Sequence, residues 1–234
     1  MKYIVLDLEW NQPSWRGATI EDPVHLVGEI VQIGAVKMNR HFRIRKELRL
    51  TVTPQYYRRM HKKVARITGL STADVKKGIP FPEAVRRLRR FCGKNFVFLT
   101  WGPDDLPMLY DNLKLFGLDE DWVPDFYDLQ VLFADQIAHE RRQFSLETAM
   151  EMLGEAQFRA HDALCDAHST ALICRHLDMK EGLRTYAMRA GDITTRPLED
   201  TLLPQHFPER AEALAELADA PFCRSEERRV GKEC

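Results

Sequence analysis

An apolar run that carries two acids at alternate positions constrains this chain more than any other stretch. Tyr3-Ile-Val-Leu-Asp7-Leu-Glu9-Trp10 has the apolar, β-branched character of a core strand. Burying an unpaired carboxylate costs several kcal/mol or forces it to take up a proton. Residues i and i+2 of a strand share a face. Asp7 and Glu9 therefore project together, with Tyr3 and Val5, while Ile4, Leu6 and Leu8 project the other way. Two carboxylates on one face repel unless something cationic lies between them. A pair of Mg²⁺ or Mn²⁺ ions removes the conflict, because hard cations take carboxylate oxygens. Solvation at a sheet edge removes it equally well, so Asp-Leu-Glu alone does not decide.

The rest of the chain supplies the elements of a layered α/β domain. "EIVQIGAVKMN" (29–39) and "FRIRKELRLTVTP" (42–54) read as strands that continue the first in a meander. "ITGLSTADV" turns into a short helix. "FPEAVRRLRRFCG" (81–93) is an amphipathic helix with Ala84, Val85, Leu88, Phe91 and Cys92 on one face and arginines on the others. "NFVFLTW" (95–101) is a short apolar strand, and "PDDLPMLYDNLKLFG" starts a helix that ends at Gly117. "FYDLQVLFADQIA" reads as another helix, "SLETAMEMLG" as one capped by Ser145, and 162–177 as a last amphipathic helix.

Two further signals accompany the first. Asp104 and Asp105 sit where an apolar strand hands over to a helix. Acids there often only complement the helix dipole, but strand ends are also where α/β sheets build sites. In "AHDALCDAHSTALIC", His161 precedes a helix whose Ala163, Ala167, Thr170 and Ala171 are small enough to pack closely on a sheet. Asp162 and Asp166 lie four apart on one face of it, and either could be a ligand. His168 and His176 read as solvated or partly buried. Acids from a first strand, a strand-to-helix turn and a late helix suit two metals, with a histidine to take a proton from water. That arrangement fits in-line hydrolysis of a phosphodiester.

D-x-E in the first strand, W-G-x-x-D after the mid-chain strand and H-x(4)-D at the late helix stand in one order. They resemble the three motifs of the DEDDh 3′–5′ exonucleases, which have a ribonuclease H-like fold. "IVLDLEWN", "EIVQIGAVKMN", "TWGPDDLPML" and "HDALCDAHSTA" look most like the Eri/KapD-type branch, and the likeness spans roughly 1–177. It implies a central mixed β-sheet of about five strands, the first three antiparallel, flanked by α-helices. It implies that Asp7, Glu9 and Asp166 bind two Mg²⁺ or Mn²⁺ ions directly, with Asp7 bridging them. Asp105 is the third acid, acting through water, with Asp104 its rival. His161 is the general base. Gln32 stands where the family usually has an acid, outside the metal set.

A nuclease must also hold a frayed 3′ end of a single strand. Trp10 and Leu70 are the residues expected to pack on the terminal nucleotide, beside Glu9 and His161. Arg58, Arg59, Lys62, Lys63 and Arg66 form a basic stretch leading to Leu70. The arginines of 86–90 read as a solvated helix face. Activity implied by the resemblance is metal-dependent release of nucleoside 5′-monophosphates from RNA, DNA or both. A binding module that keeps the fold without catalysis is the alternative from another class, and a phosphodiesterase acting on small nucleotides is a third.

Formal net charge is −1, so the chain as a whole argues neither for nor against nucleic acid. Five cysteines without CxxC spacing make a poor disulfide framework and fit a reduced, cytoplasmic setting. No secretory signal or membrane span is expected, nor a stable protein partner. At 234 residues one core is expected, as an exonuclease domain at 1–190. A C-terminal extension follows at 191–223, with one short helix in "ERAEALAELADA". The tail "RSEERRVGKEC" (224–234) resembles translated read-through of a sequencing-library adapter and is expected not to be natural protein.

Overall fold

The computed structural model describes residues 1–188 apart from 16, 17, 141, 157 and 186. The expected extension at 191–223, its helix and the 224–234 tail lie outside the described residues. Three strands open the chain: β1 (Lys2–Asn11), β2 (Glu29–Met38) and β3 (Ile44–Thr53). They pair antiparallel in sequence order, as the meander reading requires. Helices α1 (Lys62–Thr68) and α2 (Thr72–Val75) follow, then β4 (Ile79–Pro80) and α3 (Phe81–Cys92). Next come β5 (Phe96–Thr100), α4 (Asp105–Leu115), β6 (Phe126–Asp128) and α5 (Leu129–Phe133), which runs on into a π-helical turn at Ala134–Ala138. The described chain closes with α6 (Leu146–Met152), α7 (Ala163–Ile173), α8 (Met179–Thr185) and β7 (Ala187–Met188).

One mixed sheet runs in the order β4-β3-β2-β1-β5-β6-β7. Seven strands replace the expected five or so because two-residue strands close each edge and β6 adds another. β6 arises where the sequence reads as helix. Phe126, Tyr127 and Asp128 pair in parallel with Phe98, Leu99 and Thr100, and all three are buried. A short run buried on both faces has no periodicity of its own to mark it as a strand.

The alternation of β1 sorts the core into two layers. Ile4, Leu6 and Leu8 pack with Val85, Leu88, Leu106 and Leu109 of α3 and α4 on one face of the sheet. Tyr3 and Val5 pack with Leu132, Met150, Ala167 and Ala171 of α5, α6 and α7 on the other. The parity that puts Asp7 and Glu9 with Tyr3 and Val5 therefore turns both acids toward the α7 side. Cys92, Cys165 and Cys174 are free thiols. No helix among the described residues is long and apolar enough to cross a membrane.

Candidate active site

The site begins with how closely α7 approaches the sheet. In the β1–β2 ladder Asp7 lies opposite Gly34, and Glu9 opposite Gln32. A Cβ on Gly34 would stand 2.0 Å from the carbonyl of Ala163, so only glycine lets the first turn of α7 sit there. Gln32 then accepts a hydrogen bond from the Ala163 amide through Oε1 at 2.8 Å. The departure from the family's usual acid is thus a neutral cap on the helix that carries Asp166.

Asp162 and Asp166 separate in role. Asp162 caps α7, accepting from the Cys165 amide at 3.1 Å. Both its oxygens are also held by the Arg49 guanidinium, at 2.7 and 2.8 Å. That fork-to-fork pairing occupies Asp162. Asp166 makes no such pair; its Oδ2 accepts from the His161 amide at 2.8 Å, and the residue lines the pocket. His161 sits in the left-handed region at φ 58°, a conformation that brings both its amide and its ring to the Asp166 side.

Asp104 and Asp105 separate as clearly. Asp105 is buried, and its Oδ1 accepts from the amide of Leu8, between Asp7 and Glu9, at 2.8 Å. Asp104 is exposed. The turn between β5 and α4 is fixed through Gly102, which has φ 97°. Its carbonyl accepts from the Thr100 hydroxyl at 2.7 Å, and its amide donates to Asp128 at 2.9 Å. Asp128 also accepts from the Gln130 amide at 2.8 Å and so starts α5. Nothing in the sequence singles out Asp128, because its partner is a backbone group 26 residues away.

The result is a pocket of about 480 Å³ with Asp7, Glu9, Asp105, His161 and Asp166 in its lining. One ligand atom from each of Glu9, His161 and Asp166 lies within 4.8 Å of the others. Burial raises the Asp7 carboxyl well above the ordinary range, and Asp105, Asp166 and Glu9 raise it further by repulsion. Asp105 is raised well above the usual range by burial, against the opposing pull of the Leu8 amide. Burial and then Asp166 and Asp162 push Glu9 up to about 7. Burial pushes Asp166 up to about 6, although the His161 amide and ring both favour its charged form. Acids that repel one another in this way form a donor set suited to divalent cations.

The pocket lining also includes the apolar side chains of Trp10, Val64, Ile67 and Phe158. The β1–β2 register shifts between Glu9 and Trp10. Trp10 packs against the core layer of Ile4, Leu6, Leu8 and Met108, and it also lines the pocket beside Glu9. Leu70, expected on the nucleotide, does not line the pocket. The chain turns at Gly69, φ 71°, and Leu70 packs instead on Val31, Met60, Val64 and Val75. Ile67, one turn earlier on α1, faces the pocket and is 39% exposed. Its helical register was not legible because α1 is too short to show a period.

A family model for exonucleases, RNase_T, matches residues 4–174. A search of curated proteins finds no match. Among solved structures, the nuclease domain of 3′hExo, described as a DEDDh family member bound to rAMP, superposes with a TM-score of 0.66 at 20% identity, covering 80% of this chain and 96% of that one. Cell-death related nuclease 4 gives 0.62 at 19% identity, over 75% of this chain and 62% of that one. E. coli exonuclease I in complex with a dT13 oligonucleotide gives 0.60 at 14% identity, over 77% of this chain and 41% of that one. At these identities the likeness is one of fold, and it supports the ribonuclease H-like α/β architecture.

Proposed function

Because the chain belongs to the RNase_T exonuclease family, we propose that it is a metal-dependent 3′–5′ exonuclease that removes nucleoside 5′-monophosphates from the 3′ end of single-stranded nucleic acid. The observation that carries this reading is the meeting of Asp7, Glu9, Asp105 and Asp166 with His161 in one pocket. Three elements far apart in sequence, β1, α4 and α7, have no structural need to bring half-buried and buried acids together; a shared cation requirement supplies one.

Asp7, Glu9 and Asp166 would hold two Mg²⁺ or Mn²⁺ ions, with Asp105 supporting them through water. When bound, the ions would activate the attacking water and offset charge on the attacking and leaving oxygens. His161 takes the proton from the attacking water as general base; its ring nitrogen is already within reach of the Glu9 and Asp166 carboxylates. Asp166 and His161 are tied through the 2.8 Å amide contact, so the base and the ligand move as one unit. Trp10, Val64, Ile67 and Phe158 offer the terminal nucleobase an apolar surface and help exclude bulk water. The complete acid and histidine set favours catalysis over a binding module.

The decisive experiment is digestion of matched 5′-labelled RNA and DNA oligonucleotides, single- and double-stranded, with Mg²⁺, Mn²⁺ or EDTA and product sizing. Stepwise shortening from the 3′ end with metal, and none with EDTA, is expected. Absence of metal-dependent shortening on every substrate would overturn the reading. The same assay assigns the preference between RNA and DNA.

A further inference from the structure

The pocket does not end at Trp10. Gln12 lines it and also lines a second groove of about 320 Å³, so the two are adjacent. This groove is built from Pro13, Ser14 and Trp15, in the loop after β1, together with His25 and His61. Trp15 is 67% exposed, the most exposed large apolar side chain among the described residues. An indole left this open in water has a flat, apolar face that the fold does not use.

One wall of the groove is anchored to β1. Asn11 is fully buried, and its side-chain amide donates to the carbonyls of Tyr57 at 2.7 Å and Arg59 at 2.9 Å. Its oxygen accepts from the His61 amide at 2.8 Å. One side chain at the end of β1 thereby ties the strand end that leads into the Trp15 loop to the 57–61 segment. Exposed cations flank His61 on both sides: Arg58 and Arg59 before it, Lys62 and Lys63 after it. Neither of the nearby acids, Glu21 and Asp22, is part of the lining; Glu21 pairs with the His25 ring at 2.6 Å.

We propose that this groove is a second nucleobase subsite, which takes a base of a single strand lying behind the two 3′-terminal nucleotides. A base stacks on Trp15, and the phosphates track toward Arg58, Arg59, Lys62 and Lys63. The inference rests on the reading of the larger pocket as a nuclease site. Stacking tolerates any base, since every base has a π-face, and cations hold the backbone without reading sequence. The groove therefore adds affinity for length and not for sequence.

The test is kcat/KM for the wild type, Trp15→Ala and Trp15→Phe on oligothymidylate and oligouridylate, from the dinucleotide to the octanucleotide. Wild-type kcat/KM should rise with length. Trp15→Ala should match the wild type on the dinucleotide and lose roughly ten-fold on the octanucleotide, through KM and not kcat. Trp15→Phe should restore most of the loss. A Trp15→Ala variant with the full wild-type length dependence, or a wild type with none, would overturn the subsite while leaving the nuclease reading intact. If the wild type cuts no substrate of any length, the nuclease reading fails. Anisotropy of a labelled octanucleotide in EDTA then judges the groove: weaker binding by Trp15→Ala supports it, and equal binding overturns it.

Discussion

The amide of Leu8 donates to the carboxylate of Asp105 at 2.8 Å, across 97 positions of sequence. Leu8 stands between Asp7 and Glu9, so this bond sets the third acid against the first two. It uses a β1 amide, held there by Asp105 instead of a neighbouring strand, and it fixes the carboxylate without neutralising its charge.

Asp7 stands at the centre of this crowding, since repulsion from Asp105, Asp166, Glu9 and Asp162 all falls on it. Asp7→Asn should therefore do two opposite things. Digestion of a 5′-labelled oligonucleotide should fall by about a thousand-fold or more, because a proposed metal ligand is lost. The metal-free protein should melt at a higher temperature, because a repelled buried charge is removed. Paired assays of digestion and of thermal melting in EDTA check both; unchanged digestion would dismantle the site assignment.

Stability of the metal-free protein should fall as pH rises between about 4 and about 7. Carboxyls in the unfolded chain lose their protons near pH 4, at roughly ordinary values. In the folded protein Glu9 holds its proton to about 7 and Asp166 to about 6. Asp7 and Asp105 are raised as well. Across that window the folded state binds more protons than the unfolded state, so raising pH favours unfolding. Added Mg²⁺ or Mn²⁺ should reverse the loss at pH 8 by binding the charged cluster. Thermal melts over a pH series, with and without metal, measure it. A melting temperature insensitive to metal at pH 8 would speak against the cluster as a cation site.

His161→Ala should slow digestion by about 10²–10⁴-fold, the range for a general base. It should leave the metal-induced rise in melting temperature largely in place. Asp166 is positioned by the His161 backbone amide, which alanine retains. Loss of both properties together would assign His161 to metal binding and not to proton transfer.

Gly34→Ala should separate the helix from the sheet. The added methyl meets the Ala163 carbonyl at 2.0 Å, backbone against which no rotamer can yield. A loss of about 1–3 kcal/mol or more in denaturant unfolding is expected, as for overpacking, together with weaker response to metal as Asp166 moves away from Asp7.

Asp128→Ala leaves the Gly102 and Gln130 amides without their acceptor. Unfolding should shift by about 1–3 kcal/mol, and activity should fall because the turn that delivers Asp105 loosens. Asp128→Asn keeps an acceptor oxygen for both amides and should retain most activity. Equal loss in both variants would point to the charge of Asp128 instead.

How much of this protein its sequence determines depends on the range of each interaction. The period of two in β1 put Asp7 and Glu9 on one face before any contact was known, and three ordered motifs carried the family and the α/β fold. Small residues at Ala163, Ala167 and Ala171 announced a helix that lies close on a sheet. Those properties are local, so they are written locally. What distinguishes Asp105 from Asp104, and Asp166 from Asp162, was not. It turned on the Leu8 amide and on Arg49, partners 97 and 113 residues away. The strand at Phe126–Asp128, the packing of Leu70 away from the pocket that Ile67 lines, and the joining of the β1 end to the basic segment through Asn11 were decided in the same way. Each depends on which backbone groups the folded chain brings within hydrogen-bonding distance, and only the tertiary structure sets that.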